Sequence, residues 1–300
     1  MASDGGRSRR LGIVLAGLGV LAGVAALLAQ GGRVSGILDV LTHFAPLYVL
    51  GGLLGLVAGL WRGRVRWTGL IGGFVGVVGG GALMAPEYLR PDPRRAPVDA
   101  PGRIKVIQIN AFKNNADIER VVDWLVAEDP DIVTIQEARH DLRDRLRKQT
   151  GWQVAGAAGN LMIFSRERRL SMTRPKPPGR ELNFVNATYP SASGPYEVVT
   201  AHLDWPTAAA YPRQYHDLAA VVAARPRSRM ILTGDFNTAP WSFAMRRADG
   251  ALGLQRLDRA AWSFPARLGP TPWPAPFLPI DHVYAGAGWR LVSLRRGPNV

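Results

Sequence analysis

Apolar residues follow two different patterns along the chain. Up to residue 89 they form three long runs, at 11–28, about 37–60 and about 67–89. At roughly 20 residues, each run is long enough to cross a hydrocarbon core as a helix. A cleaved signal peptide would explain the first run, but not three in succession. The pattern therefore predicts a membrane domain over 1–89 with three transmembrane helices. Residues 90–102 hold four prolines among several charges. They predict a semi-rigid linker spanning at most about 40 Å in polyproline geometry.

From residue 103 the apolar runs shorten and polar positions break them. Runs at 104–109, 132–135, 152–155, 161–165, 183–189, 197–202, 230–232, 280–284 and 289–294 read as strands. Ile118, Val121, Val122 and Leu125 recur at helical spacing after Asn114 and Asn115, either of which can cap the helix. Asp129-Pro130-Asp131 ends that helix, and further helices fit 139–148 and 211–224. Many short strands with few helices predict an α/β (α+β) domain over 103–300. Its expected form is two packed, mostly mixed β-sheets flanked by helices, rather than a doubly wound parallel sheet. There is no internal repeat and no glycine-rich nucleotide loop.

Arginines set the expected orientation of the runs. The N-terminus carries Arg7, Arg9 and Arg10, the first loop only Arg33, and the second Arg62, Arg64 and Arg66. The N-terminus and second loop are then cytoplasmic, and three crossings put everything after residue 89 outside. This predicts a multi-pass protein of the cell (inner) membrane with an extracytoplasmic domain. Asp39 and His43 lie four apart near the outer end of the second run. An ionisable pair in a membrane can be functional. The plainer reading puts Asp39 at the interface and His43 in a bond to a neighbouring helix.

The chain has no cysteine. That excludes a disulfide framework, a thiolate zinc site and a thiol nucleophile. Net charge is +14, and residues 103–300 alone carry 27 basic and 18 acidic side chains. The excess favours anionic partners such as nucleic acid, phospholipid head groups or small phosphodiesters. Arg166, Arg168 and Arg169 form a basic run suited either to phosphate or to a solvated turn.

Five apolar runs end in polar residues. Asn110 follows 106–109, Glu137 follows 132–136, and His202 and Asp204 follow 198–201. Asp235 and Asn237 follow 230–232, and Asp281 with His282 sits within 278–283. Asp235 and Asn237 are two apart and share a side in extended chain. Gly234 beside them lets a ligand or another backbone come close. Charged groups at the ends of buried strands need partners. The carboxylates are hard oxygen ligands of the kind Mg²⁺ or Mn²⁺ prefers, and the histidines can move protons near neutral pH. With no covalent nucleophile in the set, the natural chemistry is metal-assisted attack of water on a phosphate ester. Trp205, Trp241 and Trp273 lie near these motifs and suit stacking on a base, contact with lipid or loop packing.

In this order, Asn110, Gln136-Glu137, Thr200-Ala201-His202, Gly234-Asp235-Phe236-Asn237 and Asp281-His282 resemble the endonuclease/exonuclease/phosphatase, or deoxyribonuclease-I-like, superfamily. The resemblance covers about 103–294. It implies a four-layer sandwich with the site at one end of two sheets. It also implies Glu137 as metal ligand with Asn110 near it, and Asp281 at the metal or its water shell. Asp235 and Asn237 would position nucleophile and phosphate, His282 would activate water, and His202 would stabilise the phosphate or protonate the leaving oxygen. The family usually orients its base histidine with an upstream aspartate. Here only Asp249 and Asp258 are available for that, and neither sits in a clear motif. The expected function is a membrane-anchored, metal-dependent phosphoester hydrolase. The alternative is an inactive member acting as a membrane-tethered docking module.

Overall fold

The computed structural model describes residues 2–156, 160–173, 182–268 and 271–299. The chain forms two compact units. One is Met1–Arg90 with Ala239–Arg247, and the other is Pro91–Thr238 with Ala248–Val300. The segment 239–247 thus leaves the domain expected at 103–300 and joins the apolar helices.

In the first unit, α1 (Ala2–Gln30) and α4 (Arg64–Tyr88) are long and apolar enough to cross a membrane. The middle run is not one helix. It divides into α2 (Gly36–Thr42) and α3 (Ala45–Val57), bent by 59°. There are therefore two candidate spans, or three if the bent pair is one. The break has local causes. Thr42 Oγ1 donates to the Asp39 carbonyl at 2.5 Å, and His43 Nδ1 bonds the Val40 carbonyl at 3.0 Å. Such back-bonds compete with the helix ladder. Pro46 then opens α3, where its missing N–H costs nothing.

Small residues let these helices touch. A Cβ at Gly19 would lie 2.8 Å from Gly55 Cα and 3.0 Å from the Gly73 amide. At the start of α1, the Ser8 carbonyl accepts from Trp61 Nε1 at 2.8 Å. Toward its end, Gln30 Nε2 donates to Gly79 O at 3.2 Å.

The second unit holds two principal sheets. Its elements are β1 (Val106–Asn110), α5 (Ile118–Glu128), β2 (Ile132–Gln136), α6 (His140–Thr150), β3 (Gln153–Gly156), β4 (Met162–Ser165), β5 (Ser171–Thr173), β6 (Asn183–Tyr189), β7 (Tyr196–His202), α7 (Tyr211–Ala223) and β8 (Met230–Asp235). Then come α8 (Phe243–Leu252), β9 (Gln255–Arg256), β10 (Arg267–Leu268), β11 (Thr271–Pro272) and β12 (Asp281–Ala285). One sheet has the order β1-β2-β4-β3, and the other β5-β6-β7-β8-β12-β9. Strands β10 and β11 pair antiparallel in a separate two-stranded sheet. Both large sheets are mixed, as expected. Pairs β1/β2 and β7/β8 are parallel, each joined by a helical crossover, and every other neighbouring pair is antiparallel.

The apolar periodicity explains the layers. Val121, Val122 and Leu125 of α5 and Leu142 and Leu146 of α6 pack on Val133, Ile135, Met162 and Phe164 of the smaller sheet. A second core, including Ile132, Ile163, Val185, Val198 and Ile231, joins the facing sheets. The cap of α5 is Asp117, whose carboxylate accepts from Arg120 N–H. Asn115 instead accepts from the Asp117 amide. Residues 289–294 form no strand. Leu291 makes only an isolated parallel bridge to Arg95, which fastens the expected linker to this unit.

Candidate active site

Strand register gathers the polar residues. In the larger sheet His202, the last residue of β7, is the parallel partner of Asp235 at the end of β8. Asp281, the first residue of β12, is the antiparallel partner of the same Asp235. Register partners share a face, so imidazole and two carboxylates stand together. In the smaller sheet Asn110 ends β1 beside Gln136, and Glu137 follows at once.

Asn110 links the two sheets. Its Nδ2 donates to Asp235 Oδ2 at 2.9 Å and to Glu137 Oε1 at 3.2 Å, while its Oδ1 accepts from the Phe112 amide. The Lys113 amide donates to Glu137 Oε2 at 2.9 Å. Asp235 Oδ1 accepts from the Asn237 amide at 2.8 Å, and Asn237 Nδ2 donates to Leu203 O at 2.7 Å. His202 Nε2 lies 4.0 Å from both Glu137 Oε1 and Asp235 Oδ2. Asn110, Glu137, His202, Asp235, Asn237 and Asp281 thus form one cluster.

Two site residues hold strained backbone. Glu137 has φ 53° and Asn237 φ 49°. The left-handed region costs a glutamate about 1–2 kcal/mol. Strain of this kind concentrates at functional sites, and here it turns two polar side chains off the strand ends into the cluster.

His282 is not brought to the cluster. It lies opposite Gly234, one residue out of phase with Asp281, and so faces the other side of the sheet. It is wholly buried. Its Nδ1 meets Asp258 Oδ2 at 2.8 Å and its Nε2 meets the Thr238 carbonyl at 2.9 Å. The ring is thus tied at one nitrogen to Asp258 and at the other to the Thr238 carbonyl. The aspartate–histidine pair expected through Asp258 does form, but it braces the loop after Asn237. The alternative, Asp249, instead accepts from Tyr284 and Arg256.

Several neighbours were not singled out from the sequence. Gln108 Nε2 donates to Asp281 Oδ1 and to Gln136 Oε1, both at 2.6 Å. Gln136 in turn donates to Thr200 Oγ1 at 2.7 Å. The signal for Gln108 was its place two residues before Asn110, on the same face of β1. Ser263 also bonds the Asp281 carboxyl, and no local pattern marks it. Of the basic run, Arg166 donates to the carbonyls of Asp129 and Pro130, and Arg169 to Val154 O. These two brace the fold.

The carboxylates of the cluster oppose one another's charge. Burial, then the charges of Asp281 and Glu137, push the Asp235 carboxyl well above its ordinary range. Burial also raises Asp281. Burial lowers His202, against the pull of Glu137, Asp281 and Asp204. Among the described residues no lysine or arginine side chain bonds Glu137, Asp235 or Asp281. Nor do three His, Asp or Glu side chains close around a common point as a ready metal cage. That arrangement fits Mg²⁺, which keeps several waters and needs only one or two carboxylates besides substrate oxygens. A cleft runs past the cluster, with Trp205 and Phe264 on its wall, their rings 5.3 Å apart.

Two facing mixed sheets under helices, with carboxylates, amides and an imidazole at the strand ends, define an α/β sandwich with an acidic end-of-sheet site. The chain belongs to the Endonuclease/Exonuclease/phosphatase family, which it matches over residues 107–300. A search of curated proteins found no match. Among solved structures, sphingomyelinase C from Streptomyces griseocarneus is similar at 16% identity and TM-score 0.48, covering 62% of this chain and 84% of that one. D. rerio TDP2 complexed with single-strand DNA product is similar at 15% identity and TM-score 0.48, covering 61% and 84%. A Staphylococcus aureus beta toxin mutant with bound magnesium ions is similar at 11% identity and TM-score 0.48, covering 63% and 85%.

Proposed function

We propose that the chain is a membrane-embedded, divalent-metal-dependent phosphoester hydrolase. The observation that carries this reading is the convergence of three carboxylates, two amides and one histidine at the strand ends.

Glu137, with Asn110 and Asp281 beside it, would hold Mg²⁺ or Mn²⁺. When bound, such an ion offsets charge developing on phosphate oxygens and makes water a better nucleophile. Asp235 and Asn237 orient the attacking water and the phosphate, because Asn110 and the Asn237 backbone amide fix the Asp235 carboxylate in advance and the Leu203 carbonyl fixes the Asn237 side chain. Among the described residues, His202 is the one histidine whose ring reaches the carboxylates. An arriving phosphate opposes the effect of burial on its ring and favours the protonated form. That form donates to a phosphate oxygen or to the leaving oxygen. His282 meets Asp258 and the Thr238 carbonyl instead.

The substrate class is an anionic phosphate ester, nucleic acid or phospholipid. The basic excess of 103–300 supports it, as do the half-exposed Trp205 and Phe264 beside Asp204. We also read the bent pair as one crossing. Trp61 bonds back to Ser8 at the start of α1, so the chain has returned to its starting side before α4 begins. The domain after α4 is then extracytoplasmic in the cell membrane.

The test is hydrolysis by the full chain in detergent, with Mg²⁺ or Mn²⁺, of plasmid DNA, phospholipid vesicles and bis(p-nitrophenyl) phosphate. Glu137→Ala should lower turnover roughly a thousandfold, since several kcal/mol of charge stabilisation go with the ligand. It should also abolish any rise in melting temperature that Mg²⁺ gives the wild type. No cleavage by a folded chain that Mg²⁺ stabilises would overturn the enzyme in favour of a tethered docking module.

A further inference from the structure

The two carboxylates proposed to hold the cation come from different sheets. Glu137 follows β2 of the smaller sheet, and Asp281 opens β12 of the larger. Their relative position therefore depends on what fixes one sheet to the other. Apolar packing between the sheets is not directional, whereas hydrogen bonds are.

Strand β1 supplies such bonds. Its side chains alternate between two faces. Ile107 and Ile109 pack on the core under α5 and α6. Val106 packs on the core between the sheets, so Gln108 and Asn110, two and four residues further on, face the larger sheet. Both carry amides, and each reaches a carboxylate there. Asn110 Nδ2 donates to Asp235 Oδ2 at 2.9 Å, and Gln108 Nε2 donates to Asp281 Oδ1 at 2.6 Å. Asp235 and Asp281 are register partners. Two amides of one strand thus grip two paired carboxylates of the facing sheet.

Gln108 is itself held. Its Nε2 also donates to Gln136 Oε1 at 2.6 Å, and Gln136 Nε2 donates to Thr200 Oγ1 at 2.7 Å. Gln136 and Thr200 are wholly buried, and Gln136 is the residue before Glu137. The bonded chain Asp281–Gln108–Gln136–Thr200 starts and ends on the larger sheet and passes through β1 and β2 of the smaller. A buried polar network whose members are bonded makes its surroundings rigid. Every residue of this one belongs to the second compact unit. An amide is also the fitting donor at this place, because it holds a carboxylate without adding charge.

We propose that Gln108 is a positioning residue for the cation: it ties the Asp281 carboxylate to the sheet that carries Glu137 and leaves the carboxylate's charge for the metal. The inference rests on the phosphoester-hydrolase reading for the choice of ligands. The bonds that carry it are independent of the substrate.

The experiment titrates Mg²⁺ into the full chain in detergent by calorimetry and follows hydrolysis of bis(p-nitrophenyl) phosphate in parallel. Gln108→Met keeps the length of the side chain and loses its donors. It should raise the Mg²⁺ dissociation constant about 10- to 100-fold, the usual cost of removing a group that orients a ligand. The Mg²⁺ concentration that gives half the maximal rate should rise by the same factor, with the KM for the ester little changed. Thr233→Val is the control. Thr233 Oγ1 donates to Thr134 Oγ1 at 2.8 Å between the same two sheets and is wholly buried, but it bonds neither carboxylate. Its variant reports the loss of a bond between sheets alone and should keep the wild-type affinity. In an Asp281→Asn background Gln108→Met should have little further effect, because both act through one carboxylate. If Gln108→Met does not fold, Gln108→Asn, one methylene too short to span the gap, should show the same loss. Wild-type affinity in the Gln108 variant that folds would overturn the proposal. So would an equal loss in Thr233→Val, or an undiminished effect in the Asp281→Asn background. A wild type that binds Mg²⁺ but cleaves no ester would sink the hydrolase and leave the dissociation constants to decide the role of Gln108. A wild type that binds neither Mg²⁺ nor Mn²⁺ would sink both.

Discussion

At the scale of single residues, the most instructive contrast is between Asp281 and His282. They are adjacent in sequence, and in a strand adjacent side chains face opposite ways. Asp281 shares a face with Asp235, and His282 enters the core beside Asp258 and Phe236. The buried network around His282 makes a pH prediction. Burial alone would raise the Asp258 carboxyl, but the charge and hydrogen bond of His282, then Arg256, hold it below the ordinary range. A depressed carboxylate stabilises the fold fully above its unfolded value, about 3.9, and loses that contribution as pH falls through the lower folded value. Asp258→Asn should therefore cost about 3–5 kcal/mol near neutral pH, the usual penalty for breaking a buried pair. The difference from wild type should shrink as the pH falls below about 4. Denaturant melts of both proteins from pH 3 to 8 check this. A difference that stays constant across that range would show that Asp258 contributes by shape and not by charge.

At the scale of elements, the sheet interface depends on one glycine. Gly234 of β8 is the register partner of Ala201 on β7, and a Cβ there would overlap the Ala201 carbonyl oxygen. Backbone cannot rotate away as a long side chain can. Gly234→Ala should therefore destabilise by about 1–3 kcal/mol through overpacking. On the proposed reading it should also weaken Mg²⁺ binding, because Asp235 is the next residue. A melt with and without Mg²⁺ reads both effects, and unchanged values would show that the strands part more easily than their hydrogen bonding suggests. The glycine and the polar strand ends were legible in the sequence, since both follow from short apolar runs and the period of two. So were the mixed sheets and the face of α5. Three things were not. The break between α2 and α3 comes from side chains bonding their own carbonyls, which hydropathy does not register. The strand expected at 289–294 is only a bridge at Leu291, because apolar alternation supplies no pairing partner. The role of His282 needed the register of β12, as a one-residue shift exchanges the site face for the core.

At the scale of the whole molecule, the proposed membrane topology puts the site on a side set by how often the chain crosses. The bend of 59° admits two arrangements, a kinked crossing or a re-entrant pair. The bond from Trp61 Nε1 to the Ser8 carbonyl places the end of the pair beside the beginning of α1. Gly55 of α3 also lies against Gly19, midway along α1. A pair that dipped in and returned would end instead near Gln30. The arginines agree, since Arg62, Arg64 and Arg66 then lie on the side of Arg7, Arg9 and Arg10. The chain has no cysteine, so one introduced thiol reports without background. Ser193 lies in an exposed turn between β6 and β7, away from the cluster. In intact inner-membrane preparations of outward-facing orientation, Ser193→Cys should react with a membrane-impermeant maleimide before detergent is added. A cysteine placed at Arg62 should react only afterwards. Reaction of both before detergent would show sealed membranes of mixed orientation. Protection of Ser193→Cys with reaction at 62 would put the site in the cytoplasm and confine its substrates to that side. Reaction at 193 alone would admit only extracytoplasmic phosphate esters and those of the outer leaflet.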